Sequence, residues 1–152
     1  MPQTQTSLSP TRSARPVTTL ELMERTSLSE AVLSELVHGF YGKIRVDPVL
    51  GPIFAERITD WEPHLEKMVG FWSSVALMTG RYHGAPVPKH AGLPVTWAHF
   101  ERWLELFRET AGEVCSPVGA AYVIERAERI ARSLHMASQD AQQQCGAVPN
   151  LK

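Results

Sequence analysis

A chain of 152 residues with 43% hydrophobic side chains can bury a core of ordinary size, and a single domain is the expectation. Its net charge of -1 gives no electrostatic case for nucleic acid or for an anionic membrane. Cys115 and Cys145 are too few for a disulfide framework, no apolar run approaches the roughly 18 to 20 residues of a spanning helix, and no secretory signal opens the chain, so free thiols and a cytoplasmic location are expected.

Residues 1–18 are Ser, Thr, Gln, Pro and Arg with almost nothing apolar, and read as a disordered tail. Leu20, Leu22 and Met23 suggest a short lead-in helix. Ser27-Leu28-Ser29-Glu30 has capping-box spacing, with Ser27 at the cap and Glu30 three residues on. The helix after it carries Leu33, Val37, Phe40, Tyr41 and Ile44 and stops at Asp47-Pro48. A turn or single helical turn over 47–58 comes next. Asp60 then caps a helix with His64, Met68, Phe71, Trp72 and Val75 on one face, ended by Gly80. Thr96 caps a helix to about Gly112 with Phe100, Trp103, Leu104 and Phe107 on one side. Ser116-Pro117 opens a last helix to about Ser138, with Ile124, Ala127, Ala131 and Leu134 inward and Glu125, Arg126, Glu128 and Arg129 outward. Residues 139–152 lose the pattern and read as a frayed tail, leaving 19–138 as the folded unit. No repeat, phosphate-binding glycine loop or strand alternation is present in the sequence.

Between the second and third long helices lies Gly80 to Pro94, whose three prolines and three glycines exclude a long helix or regular strand. Lys89-His90 sits on what can be only a short helical turn. By spacing alone His90 is a surface loop histidine, and Tyr41 and Trp103 are ordinary core aromatics.

Taken in order, Phe40-Tyr41, the run Asp47 to Phe54, Trp61 with His64, Phe71-Trp72-Ser73-Ser74, Gly80-Arg81-Tyr82 with Gly84, His90, and Phe100 with Arg102-Trp103-Leu104 resemble the truncated haemoglobins. The resemblance runs from about Ser29 to Met136. The absence of Gly-Gly pairs at helix ends resembles the third group of that family. It implies an all-α, truncated globin-like two-over-two helical sandwich, with the helices of Tyr41 and His64 crossing those of Trp103 and Tyr122 around one haem b. The long N-terminal extension and Pro88, close before His90, depart from the family pattern.

By the same resemblance His90 is the proximal iron ligand, its other ring nitrogen donating to a backbone carbonyl. Tyr41, His64 and Trp103 are the polar distal residues, with Phe40 and Met68 beside them. Met68, Phe71, Trp72, Val75, Phe40 and Phe107 form an apolar wall, and Arg81, Tyr82 and Lys89 are the candidates to meet the haem propionates. His83 and His99 are not at the ligand position and read as solvent-facing. The expected partners are O2, NO, CO or peroxide and an unknown reductase. Donors aimed at a bound ligand favour holding, sensing, or NO dioxygenase or peroxidase-like chemistry over bulk oxygen transport. Two other readings stay open: a non-haem metal site of His64, His83 and His90, and a haem-free helical interaction module.

Overall fold

Proline, serine, threonine and aspartate punctuation sets where the helices begin. In the computed structural model, which describes residues 13–84 and 95–150 with side chains through residue 141, Pro16 opens α1 (Pro16–Thr26) and Ser27 closes it in the left-handed conformation. Helix α1 therefore begins inside the stretch expected to be a tail, because Thr19, Leu22 and Thr26 find burial on one face. Ser29, not Ser27, caps α2 (Glu30–Val46), its hydroxyl accepting the Val32 N–H at 3.2 Å. Glu30 does not close a capping box, because its carboxylate takes Ser73 and Arg81 instead.

After α2, Asp47 accepts the N–H groups of Val49 and Leu50 at 3.1 and 2.9 Å and starts α3 (Leu50–Arg57), a longer element than the single turn expected. Arg102 reaches back to the same carboxylate. Gly51 is required here, since a Cβ on it would stand 2.9 Å from the Arg45 carbonyl oxygen. Helix α4 (Trp61–Leu77) ends on Met78 in the left-handed conformation, two residues before Gly80.

Thr96 caps α5 (Trp97–Val114) in a capping box whose second partner is His99. Ser116 accepts the Gly119 N–H at 3.1 Å and Pro117 starts α6 (Pro117–Asn150). The helix continues well past Ser138, since the Ala and Gln beyond it favour propagation of a helix already formed.

Helices α2 and α4 pack together, α5 packs on α6, and the first pair crosses the second, which is the two-over-two sandwich. Phe40, Phe107, Leu33, Leu36, Ile44, Leu77 and Val123 are fully buried where the layers meet. No strand is present among the described residues. None of their helices is long and apolar enough to cross a membrane. Cys115 is a half-buried free thiol, pushed up by burial and then by Glu35, which makes it a poor nucleophile. The Cys145 side chain lies outside the described residues.

Candidate functional site

Where the layers cross, the aromatic packing leaves a half-enclosed cavity of about 290 Å³. Each of the main helices contributes a wall. Tyr41 comes from α2, Ile53 and Phe54 from α3, and His64, Met68, Phe71 and Trp72 from α4. Phe100 and Trp103 come from α5, with Ile130, Ala131 and Leu134 from α6. On α4 the offsets 0, 4, 7 and 8 from His64 put its contributors on one face, so a single amphipathic helix builds a continuous side of the space.

Three of the polar-tipped rings that line this largely apolar cavity are those expected on its distal side, Tyr41, His64 and Trp103. Tyr41 and His64 meet edge to face with centroids 5.4 Å apart, and Trp61 meets His64 at 5.6 Å. Trp103 is held by Phe40 at 5.2 Å and by a stacked series in which Phe107 lies between Trp103 and Trp72, at 5.7 and 5.0 Å. Burial pushes the Tyr41 phenol well above its usual range, so the ring keeps its O–H and remains a donor.

The remaining expected site residues separate into groups. Met68, Phe71, Trp72 and Tyr82 line the cavity, Tyr82 packing edge-on against Phe71 at 5.1 Å. Phe40 and Phe107, each 1% exposed, stand behind the lining and support Tyr41, Trp72 and Trp103. Val75 is half-buried and packs in the core without reaching the cavity. Arg81 is turned to Glu30, away from this space. Lys89 and His90 lie outside the described residues. On either side of that interval Tyr82, two residues before its last described neighbour, and Val95, directly after it, line the cavity.

Sequence reading passed over two polar residues of the lining and misplaced a third. Arg57 and Lys67 are exposed and line the cavity, which puts two cations at its mouth, and neither makes an ion pair among the described residues. Lys67 was legible, since it lies three residues after His64 on the same helical face. Arg57 ends a short helix whose extent the sequence did not reveal. His99 is half-buried and lines the cavity, contrary to the solvent-facing expectation, because its Nδ1 accepts the Thr96 N–H at 3.0 Å and draws the ring inward. His83 is exposed beside a separate depression. No group of three His, Cys, Asp or Glu side chains that could hold a metal ion occurs among the described residues.

No family model matches the chain. The group 3 truncated hemoglobin ctb of Campylobacter jejuni is 34% identical over 114 residues, covering 72% of this chain and 90% of that protein. The crystal structure of group III truncated hemoglobin from Campylobacter jejuni superposes with a TM-score of 0.68 at 34% identity, covering 71% of this chain and 89% of that one. An identity of that size over nearly the whole relative, on the same crossed pairs of helices, places this chain in the group 3 truncated haemoglobins.

Proposed function

We propose that this chain is a haem protein that binds diatomic gases, with haem b in the interhelical cavity of the unit 19–138 and His90 as the iron ligand. The single observation that carries the reading is that one apolar cavity is lined by Tyr41, His64 and Trp103 together, with Arg57 and Lys67 at its mouth. A haem is flat and apolar except for two carboxylates along one edge. Aromatic and aliphatic walls with two cations at the opening suit that pattern. Support for His90 comes from its flanks, since the chain runs from a cavity wall at Tyr82 to another at Val95.

When bound, the haem supplies an iron that takes the gas, and the polarity and donors of the distal pocket govern whether the gas is held, released or converted. Tyr41 and Trp103 offer an O–H and an indole N–H to negative charge on the ligand, and the two would act as charge-assisted donors in a largely apolar space. His64, against Tyr41, is a third polar group on the same side. Phe40 and Phe107 keep these donors from turning away. Arg57 and Lys67 would meet the propionates, in place of Arg81, which Glu30 already engages. Tyr82 would cover part of the haem surface.

The task that fits is holding or sensing O2 or NO, or turning over NO or peroxide, with electrons from a cytoplasmic reductase. Bulk transport fits poorly, because strong donors slow release. A neutral imidazole ligand also gives less electron push toward O–O cleavage than a thiolate does. Titration of the purified protein with ferric haem tests the reading. An intense Soret band saturating at one haem per chain is expected, together with a rise in Tm, because a ligand that binds only the folded state stabilises it. Absence of both would end the assignment.

A further inference from the structure

The chain leaving α4 is held by more polar contacts than a connection of its length needs, and they come from three different elements. The Thr79 hydroxyl lies 2.6 Å from that of Ser73, and both residues are buried. Ser73 in turn donates to the Glu30 carboxylate on α2, whose other oxygen takes Arg81. One carboxylate, itself only 13% exposed, therefore pins the segment on both sides of Gly80. Residues 13–19 add a strap. The Ala14 N–H donates to the Thr79 carbonyl at 2.9 Å, and Thr19 donates to the Leu77 carbonyl at 2.7 Å. Gly80, at φ +74, lets the two chains cross closely, since its Cβ would stand 3.2 Å from that of Ala14. Two residues on, the Tyr82 N–H donates to Ser74 Oγ at 2.8 Å, and the Tyr82 ring enters the cavity wall.

We propose that Glu30 and the strap 13–19 are a positioning device for the cavity: they fix residues 78–84 so that Tyr82 keeps its place against Phe71 and covers the bound group. Glu30 is suited to this because α2 also carries Tyr41, so one rigid helix presents a polar donor and clamps the adjoining wall. The strap precedes Ser29, where the landmarks shared with the truncated haemoglobins begin. The geometry stands without the haem reading; the consequence for retention rests on it.

The test compares the full chain with Glu30→Gln, whose amide can accept from only one of its two donors, and Thr19→Val, which keeps shape and loses the hydroxyl. Lys43→Met serves as a control, because it breaks the exposed pairs to Glu109 and Glu113 at the other end of α2. Amide hydrogen exchange over 78–84 should rise about tenfold or more in the first two variants, with α5 and α6 unchanged. Haem transfer to an excess of acceptor apoglobin should quicken by a similar factor, and the control should match the parent in both. Unchanged exchange, or a loss of protection spread evenly over all helices, would overturn the proposal. So would local loosening with haem transfer unaltered. Should the parent take up no haem, the proposed function falls, and the exchange pattern alone upholds or overturns the positioning role.

Discussion

Tyr41 shows how a single residue carries both packing and chemistry. Its ring is fixed by Phe40 at 5.0 Å and Phe54 at 6.0 Å, and burial holds its phenol protonated. A donor so fixed should contribute about 1.5 to 2 kcal/mol to a negatively charged ligand. Tyr41→Phe and Trp103→Phe are each expected to speed O2 dissociation about 10- to 30-fold in stopped flow, at 1.4 kcal/mol per decade. An off-rate indifferent to both substitutions would remove their donor role. The spacing of Phe40, Tyr41 and Trp103 was readable in the sequence, but spacing alone did not tell which of them faces the cavity; the family resemblance put all three there, and Phe40 stands behind the lining. Adjacent helical positions point about 100° apart, and only the crossing of α2 over α5 decides that Tyr41 lines the space while Phe40 backs it. His99 was misread for a related reason, since its inward turn depends on the cap it makes at Thr96.

Among the elements, α3 depends most on a few contacts. Asp47, with a side chain 2% exposed, accepts the first N–H groups of α3 and pairs with Arg102 on α5. Burial alone would raise its carboxyl, but the Arg102 bond and the Leu50 and Val49 amides together outweigh it and hold the group below its usual value of 3.8. A depressed folded-state value means that the stabilisation is fully present above the unfolded value and is lost as pH falls through the folded one. Asp47→Asn should therefore lower the urea midpoint at neutral pH, and the gap from the parent should narrow on acidification below about pH 4. A gap independent of pH would show that the charge is not what matters. Gly51→Ala would drive a Cβ against backbone, and a loss of about 1 to 3 kcal/mol in the same assay is expected. Helix starts at Thr96 and Pro117 were legible because proline and capping residues act locally, whereas the start at Pro16 lay hidden in a stretch poor in apolar residues and read as a tail. The start at Ser29 was displaced by two residues because Glu30 is recruited by Ser73 and Arg81, 43 and 51 residues further on. No local pattern reports that.

At the scale of the whole molecule, the two crossed helix pairs do not fill the space between them with hydrocarbon alone. A chain able to close its core instead leaves a cavity with polar-tipped rings inside and Arg57 and Lys67 at its opening. The all-α class was clear from periodicity, whereas the sandwich and its cavity came from the ordered landmarks and not from any one helix. The central claim is that His90 binds the iron of a haem held in this cavity. Resonance Raman spectroscopy of the ferrous protein tests it most directly, comparing the parent with His90→Gly in the absence and presence of added imidazole. The account predicts an iron–histidine stretching band in the parent, its loss in His90→Gly, and an iron–imidazole band restored by the free ligand. A band that persists in His90→Gly without imidazole would contradict it.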